Sequence, residues 1–338
     1  MRTYRLTEFG SINGLELTES DQPQPGRREI VIRVHASSVN SRDLMVVEGK
    51  FPFPLAPGLV PLSDGAGEVV AVGEDVTRVS VGDRVASTYF TRWIGGRPKI
   101  EYAPGQLGIG RAGMLADYVK LDEDSVVEIP SHLTYQEAAT LPCAAVTAWS
   151  CLYGPVPVRA GEIVLTQGSG GVSVFVLQLA KLLGARVIVT TSNTQKAQRL
   201  KELGADDVVN YTERPDWELV VRELTHGYGA DHVIEIGGVA GLKKSIGASA
   251  IGAQISLVGV LGGHGTIDSS AFEGVSGVVS LRRITVGSRE DFEAMNRSLE
   301  LHRVRPVIDK VFPFSEAPEA FRHLQSGQHV GKIVIAHS

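Results

Sequence analysis

Short apolar runs alternate with helical patterns along the second half of the chain. Residues 163–165 form an apolar run that is typical of a strand buried on both faces. Apolar side chains then recur at helical spacing over residues 172–183, and residues 187–189 form a second apolar run. Further strands are predicted at 208–211, 232–236, 254–258 and 284–286. Strands that alternate with helices predict a doubly wound parallel sheet in an α/β fold.

The first part of the chain shows a different pattern, in which apolar and polar residues alternate singly. Residues 29–39 predict a strand, and residues 63–73 predict a second one that contains glycines. We therefore expect an antiparallel, barrel-like β domain. Beyond Arg289 a helix, a strand, a helix and a strand are predicted at 291–302, 307–312, 315–324 and 332–335. This tail is expected to return to the first domain.

A glycine-rich turn joins the first apolar run of the second half to its helix. The turn and the start of the helix comprise Gly168, Ser169, Gly170, Gly171 and Val172. Two of these glycines hold the first two positions of a G-x-G-x-x-G/A fingerprint, and Ser173 takes the third. Free N–H groups at the helix start can bind a pyrophosphate. The sequence therefore predicts a dinucleotide site here, although a plain glycine-rich turn remains an alternative.

The residues after the second strand of this unit bear on which dinucleotide is bound. An NAD site usually has Asp or Glu at this point, where the carboxylate accepts hydrogen bonds from the ribose hydroxyls. This chain has Ser192 instead, followed by Lys196 and Arg199. Hydroxyls and cations can receive a 2′-phosphate, so we expect NADPH rather than NADH. A solvated helix face is the alternative interpretation of the two cations.

Ligands of doubly wound folds bind at the carboxyl ends of the parallel strands. The residues that follow the predicted strands should therefore lie along one rim. Those expected to contact the cofactor there are Gly168, Ser192, Tyr211, Gly237, Val258, Gly259 and Leu261.

Composition limits the partners of the chain. The 338 residues carry a net charge of −5, which gives no basic balance for binding nucleic acid. No apolar run reaches the length needed to span a membrane, and the first residues lack the apolar core of a signal peptide. The two cysteines, Cys143 and Cys151, cannot form a disulfide framework and suit a reducing compartment. We therefore expect a cytoplasmic protein that acts on a small molecule.

Seven segments together match a known family. They are VNSRDLM at 39–45, DGAGEVVAVG at 64–73, VGDRV at 81–85, LPCAAVTAW at 141–149, QGSGGVS at 167–173, LGADDVVNY at 203–211 and GKIVI at 331–335. On these segments the chain resembles the medium-chain dehydrogenase/reductases, in particular their zinc-independent NADPH:quinone oxidoreductase branch. The resemblance implies a GroES-like β-barrel domain from residues 1–145 and 288–338, with a Rossmann domain from 146–287. It also implies a homodimer or a homotetramer.

The resemblance also permits a comparison with the zinc-binding members of the family. Those members place a Cys where this chain has Asn40, a His where it has Ser63, and a second Cys at Cys143. An amide and a hydroxyl are poor zinc ligands beside thiolate and imidazole. Residues 86–113 contain no cysteine, so the family's structural zinc site is also missing. We therefore expect no metal.

Without a metal, the carbonyl of a substrate must be polarised by hydrogen-bond donors. Asn40 is the first candidate, because the resemblance places its neutral amide beside the nicotinamide. Asp43 is a further catalytic candidate, with the alternative that it only holds the local backbone and Arg42. Thr147 is the third catalytic candidate, because it resembles the family position near the nicotinamide. We expect Asn40 and Thr147 to contact the cofactor as well.

Three other positions follow from the resemblance. Tyr211 and Lys332 resemble contacts on the phosphate side of the cofactor. Phe51 stands where the family often has a tyrosine, so one candidate proton donor is missing and solvent is left as a source of the proton.

The expected reaction is hydride transfer from NADPH to an electron-poor carbon of a quinone, an enone or a related activated carbonyl. One alternative is a zinc-free alcohol dehydrogenase or carbonyl reductase, since relatives with an insertion like residues 91–113 resemble that class. Another is a protein that binds NADPH in a structural or regulatory role without catalysis.

Overall fold

A computed structural model describes residues 1–259, 267, 272 and 278–337. The chain divides into two compact units. Unit 1 comprises Met1–Val146 and Gly287–Ser338, and unit 2 comprises Thr147–Val286. Unit 1 is therefore assembled from two separate segments of the chain, whereas unit 2 is one continuous segment.

The strands are numbered along the chain. They are β1 Arg2–Leu6, β2 Leu15–Glu19, β3 Glu29–Val39, β4 Asp64–Val72, β5 Arg84–Ser87, β6 Tyr118–Asp122, β7 Val126–Glu128, β8 Ile163–Gln167, β9 Arg186–Thr191, β10 Asp207–Asn210, β11 Ala230–Glu235, β12 Ser249–Leu257, β13 Ser280–Arg283, β14 Ile308–Pro313 and β15 Lys332–Ala336.

The α-helices are numbered in the same way. They are α1 Ser41–Val47, α2 Tyr135–Ala138, α3 Val146–Leu152, α4 Gly171–Leu182, α5 Thr194–Glu202, α6 Trp217–Leu224, α7 Leu242–Ala248, α8 Arg289–His302 and α9 Ala317–Ser326. Within the described residues, no helix has the length and apolar character needed to cross a membrane.

Unit 1 is built on a largely antiparallel sheet whose centre is β3. The strand order is β14-β15-β3-β4-β5-β7, and β6 also pairs with β3. In β3, Ile30, Ile32 and Val34 point into the core of the unit, as its alternating pattern predicts. Pairing of Val39 with Ile333, and of Ser38 with Asp64, brings the ends of three strands together.

Unit 2 is a parallel sheet with the order β10-β9-β8-β11-β12-β13. Its strands are apolar on both faces: Leu165, Ile188, Val233 and Ile255 are all completely buried. Helices follow β8, β9, β10 and β11, as expected for a doubly wound sheet. The α/β fold class with a Rossmann-type parallel sheet is therefore confirmed.

Two predicted elements were placed wrongly. The sixth strand of unit 2 is β13 at Ser280–Arg283, whereas residues 284–286 lie beyond its end. Ile284 and Val286 are buried there without belonging to the sheet, so their apolar character wrongly indicated a strand. Helix α9 begins at Ala317, because the expected cap residues belong to a preceding 3-10 turn at Phe314–Glu316.

Candidate active site

Asn40 lies where β3 ends and α1 begins. Its backbone is extended, and it caps the helix. The backbone N–H of Asn40 donates to Oδ2 of Asp43 over 2.9 Å. The residue is only 9% exposed. Strand pairing on both sides of β3 therefore fixes the backbone from which the amide projects.

The side chain of Lys332 holds the Asn40 amide. Its Nζ donates to Oδ1 of Asn40 over 2.5 Å and to the carbonyl oxygen of Val39 over 2.8 Å. An ammonium group can only donate, so the amide oxygen must face Lys332 and the amide nitrogen must face away. In the described part of the chain, the buried Nδ2 of Asn40 has no hydrogen-bond partner.

Asp64 supplies the negative charge beside Lys332. The carboxylate is completely buried, and its Oδ2 lies 3.8 Å from Nζ of Lys332. It accepts hydrogen bonds from the hydroxyl of Ser63 over 2.6 Å and from the backbone N–H of Cys143 over 3.3 Å. The hydroxyl of Ser38 donates to it over 3.4 Å. One buried lysine and one buried aspartate therefore share a site at the end of β3.

A second pair of opposite charges, Arg42 and Asp43, lies on α1. Nη1 of Arg42 donates to Oδ1 of Asp43 and to the carbonyl oxygen of Leu107, both over 2.9 Å. The guanidinium carbon lies 5.0 Å from the centroid of the Tyr89 ring. Burial raises the pKa of Asp43, an effect that Arg42 opposes. Both carboxylate oxygens of Asp43 are therefore engaged, one by Arg42 and the other by the backbone of Asn40.

The three positions that correspond to zinc ligands lie around this cluster. Asn40 directs its oxygen to Lys332, and Ser63 donates its hydroxyl proton to Asp64. Burial raises the pKa of the Cys143 thiol, and Asp64 raises it further. Within the residues that the structure describes, no three His, Cys, Asp or Glu side chains group as a metal site.

The glycine turn of unit 2 has the geometry of an anion site. Gly168 follows β8 with φ of +78°, a conformation that favours glycine. Gly170 is the N-cap of α4, a helix of 12 residues. Ser173, at the third fingerprint position, donates its hydroxyl to the carbonyl oxygen of Gln167 over 2.5 Å and ties the helix start to the strand end. The free N–H groups of the first helical turn can bind a phosphate.

A buried network, which the sequence interpretation missed, joins β8 to the segment after β11. Glu235 is completely buried and accepts from Nε2 of Gln167 over 2.8 Å and from the hydroxyl of Ser245 over 2.5 Å. Oε1 of Gln167 accepts the backbone N–H groups of Ile236 and Gly237 over 3.2 Å each. The only signal in the sequence is a polar residue at the end of each apolar strand. The network fixes the position of Gly237 on the rim.

The segment after β12 packs closely on the same rim. The N–H groups of Val258 and Gly259 point to the carbonyl oxygen of Glu235 over 3.0 and 3.2 Å. A Cβ atom at Gly259 would lie 1.6 Å from the carbonyl oxygen of Ile236, so only glycine fits. Leu261, expected as a neighbouring cofactor contact, lies outside the described residues.

The residues expected to contact a 2′-phosphate lie at the ends of β9 and β10. Ser192 follows β9, and the side chain of Asn193 caps α5 by accepting the backbone N–H of Lys196 over 2.8 Å. Tyr211 follows β10 and is 41% exposed. One carboxylate, that of Glu213, also reaches this segment and accepts from the Thr194 hydroxyl over 3.3 Å.

Two family models match separate segments of the chain. The alcohol dehydrogenase GroES-like domain matches residues 26–131, and zinc-binding dehydrogenase matches residues 171–300. A zinc-type alcohol dehydrogenase-like protein of Schizosaccharomyces pombe is 39% identical over 336 residues, which cover 97% of this chain and 96% of its own. The chain is a medium-chain dehydrogenase/reductase. It is therefore an oxidoreductase of a family that binds a nicotinamide dinucleotide.

Two other relatives of this dehydrogenase/reductase differ in what their names describe. A 2-methylene-furan-3-one reductase of Solanum lycopersicum is 31% identical over 351 residues and aligns with 99% of this chain and 79% of its own. A solved NAD-dependent alcohol dehydrogenase is 33% identical with a TM-score of 0.89, and the match covers 99% of each chain. The family is thus clear, whereas the substrates that the names describe differ among similar proteins.

The site residues of this dehydrogenase/reductase fall into two groups. In unit 1 the structure brings together Asn40, Asp43 and Lys332. In unit 2, five residues lie just beyond the carboxyl ends of successive parallel strands, namely Gly168, Ser192, Tyr211, Gly237 and Gly259. Thr147 is the first residue of unit 2 and is 3% exposed in α3.

Lys332, expected on the phosphate side of the cofactor, donates to two other residues of unit 1 in the structure. The residue is 3% exposed, and its ammonium group is engaged by Val39 and Asn40. The similarity of the segment at 331–335 to the family identified the lysine but not its partners.

Proposed function

We propose that this protein is an NADPH-dependent, zinc-independent reductase of quinones, enones or related activated carbonyl compounds. The observation that carries the proposal is the Asn40 amide, whose oxygen is held by Lys332 and whose buried nitrogen is left to donate. A buried donor without a partner in the described protein is costly unless a ligand accepts from it. The oxygen of a substrate would be such an acceptor.

The reaction needs a donor at the substrate oxygen. Bound NADPH would supply a hydride, which adds to the electron-poor carbon of the substrate. Negative charge then develops on the conjugated oxygen, where a fixed N–H group lowers the barrier. Asn40 would donate that hydrogen bond, and the nearby ammonium of Lys332 would favour the negative charge. A proton from solvent completes the two-electron reduction.

The chemistry of the donor set supports zinc independence. The amide of Asn40 and the hydroxyl of Ser63 are already committed to Lys332 and Asp64, and the pKa of Cys143 is raised. A zinc ion would have to displace these contacts and to compete with the charge of Lys332. We therefore expect activity without added metal.

The decisive experiment is an activity panel. Oxidation of NADPH and of NADH would be measured with a quinone, an α,β-unsaturated ketone, a simple aldehyde and, in the reverse direction, a secondary alcohol, with and without a zinc chelator. We expect chelator-resistant, NADPH-selective reduction of the quinone or the enone. The name of the tomato relative describes a methylene group conjugated to a ring ketone, which favours the enone.

Other outcomes of the panel would contradict the proposal. Chelator-sensitive oxidation of the alcohol would identify a zinc enzyme, and chelator-resistant oxidation of the alcohol would favour a zinc-free alcohol dehydrogenase. Tight NADPH binding without turnover of any substrate would favour a structural or regulatory protein.

Preference for NADPH should depend on Lys196. We expect Lys196→Ala to weaken NADPH binding by about 1.5–3 kcal/mol, the usual range for a charge-assisted contact, and to leave NADH binding unchanged. Lys201→Ala is the matched control, because Lys201 lies on the same helix and donates to the carbonyl oxygen of Asp206. Isothermal titration calorimetry with both cofactors gives the comparison. Equal losses for the two cofactors would contradict the assignment.

Assembly and location are further parts of the proposal. We infer a homodimer or a homotetramer from the family, and light scattering coupled to size exclusion chromatography would identify the state. Within the described residues neither Cys143 nor Cys151 forms a disulfide, which supports a reducing compartment such as the cytoplasm.

A further inference from the structure

We propose that Lys332 is a positioning residue of the reaction: it acts as an internal cation that fixes the Asn40 amide with its N–H groups presented to the substrate oxygen. This inference rests on the proposed function. It assigns to a lysine of β15 the cationic role that the zinc-binding relatives give to a metal, since the residues at the zinc-ligand positions all lie in the cluster around Lys332 and Asp64.

The orientation of the Asn40 amide is the first argument. Rotating the amide by half a turn would place its NH₂ group against the ammonium of Lys332, where two sets of donors would face each other. The observed distance of 2.5 Å between Nζ and Oδ1 allows only the carbonyl oxygen to face the lysine. Without Lys332, the rotated orientation, which presents the amide oxygen to the substrate, loses this penalty and becomes accessible.

The rigidity of the lysine is the second argument. Lys332 begins β15, which pairs with β14 on one side and with β3 on the other. Its Nζ also donates to the carbonyl oxygen of Val39, so both ends of the side chain are fixed. The residue is 3% exposed, which leaves little freedom for its long side chain. A donor held this firmly needs little reorganisation during the reaction.

Polarisation of the amide is the third argument. A hydrogen bond from a cation to the amide oxygen draws electrons from the nitrogen and makes its N–H groups stronger donors. Oδ2 of Asp64 lies 3.8 Å from Nζ of Lys332, and its negative charge balances the positive charge of the lysine. Lys332 therefore acts through Asn40. The carboxylate of Asp64 offsets the cost of burying the ammonium group of Lys332.

The kinetic test uses Lys332→Met, which keeps the length of the side chain and removes its charge. With the best substrate of the panel, we expect kcat to fall about tenfold or more, the range for losing a charge-assisted hydrogen bond. NADPH binding should stay unchanged. In an Asn40→Ala background the same substitution should have no further effect on kcat, since its target is gone. Lys310→Met is the matched control, because Lys310 lies on neighbouring β14 and is exposed.

Two kinetic results would overturn the inference. One is an unchanged kcat together with weaker NADPH binding, which would make Lys332 a cofactor contact. The other is a loss of kcat that adds fully to that of Asn40→Ala, which would make Lys332 a separate contributor.

A second variant separates an effect on catalysis from an effect on folding. Lys332→Met leaves the Asp64 carboxylate buried without its cation, whereas Lys332→Met with Asp64→Asn keeps the cluster neutral. We expect the double variant to regain stability and to retain the low kcat. Recovery of kcat together with stability would show that the lysine is only structural.

A spectroscopic test needs no turnover. The chain has five asparagines, so selective ¹⁵N-asparagine labelling gives five side-chain amide signals. The signal of Asn40 is the one lost in Asn40→Ala. The neutral double variant adds a sixth signal, from the asparagine introduced at position 64. We expect the Asn40 signal to shift in that variant while the signals of the other four native asparagines stay in place. A signal that does not move would overturn the inference even if the substrate is still unknown.

The outcomes separate this inference from the proposed function. Normal turnover of Asn40→Ala would remove the donor role of Asn40 and with it the proposed mechanism. Slow turnover of Asn40→Ala with normal turnover of Lys332→Met would leave the proposed function intact and overturn only the role of Lys332.

Discussion

Replacing Asn40 by alanine is expected to lower kcat for the quinone or enone by about 10²- to 10³-fold, the loss typical of one fixed donor at a developing oxyanion. The substitution removes the buried Nδ2 group and leaves the backbone at the start of α1 in place, because that backbone is held by Asp43. NADPH binding has to be measured separately, because Asn40 is also expected to contact the cofactor. Single-turnover measurements with saturating NADPH would separate the chemical step from cofactor binding.

Two further variants sharpen this test. Asn40→Asp keeps the shape of the side chain and the hydrogen bond to Lys332, but it replaces the donor by a negative charge. We expect it to be at least as slow as the alanine variant. Asn13→Ala is the control, because the Asn13 side chain accepts from Arg322 in the same unit. An unchanged kcat in Asn40→Ala would remove this residue from the mechanism.

Replacing Asp64 by asparagine is expected to destabilise unit 1 by about 3–5 kcal/mol, the range for breaking a buried pair of charges at one partner. Asp64 is completely buried and accepts from Ser63 and from the backbone of Cys143. The substitution leaves the ammonium of Lys332 without its carboxylate. Hydrogen exchange in β3, β4 and β15 would measure the change locally, without assuming that both units unfold together.

The control for Asp64 lies on the surface of the same unit. Asp75 accepts from Arg27 over 2.8 Å, and both side chains are exposed. Asp75→Asn should cost less than about 1 kcal/mol, because exposed ion pairs gain little over hydration. Removing both buried charges, with Asp64→Asn and Lys332→Met together, should cost less than Asp64→Asn alone. A larger cost for the double variant would refute the view that the two charges compensate each other.

The fold was predictable because its signals are local. Apolar runs of the right length identified β8 and β9. The glycines between β8 and α4 marked the turn, where Gly168 has a positive φ. The strand β13 was missed for an equally local reason. Its four residues include two arginines, and an edge strand needs fewer apolar side chains than a central one.

The site was predictable only in part. Asn40 could be identified from a motif, since neighbouring residues define it. Its relation to Lys332 could not, because the two side chains are 292 residues apart along the chain and meet only through the register of β3 with β15. The network of Gln167, Glu235 and Ser245 was missed for the same reason: its members belong to three different elements.

The order of strands in unit 1 has a consequence for protein synthesis. Unit 2 is continuous and can form its sheet as soon as residues 147–286 have emerged from the ribosome. The strand β3 emerges much earlier, yet the part of its edge at residues 36–39 stays open until β15 follows. Arrival of β15 closes that edge and delivers Lys332 to Asn40 in the same event. A nascent chain therefore completes its unit 1 sheet and sets the amide donor together, after unit 2 is already able to fold.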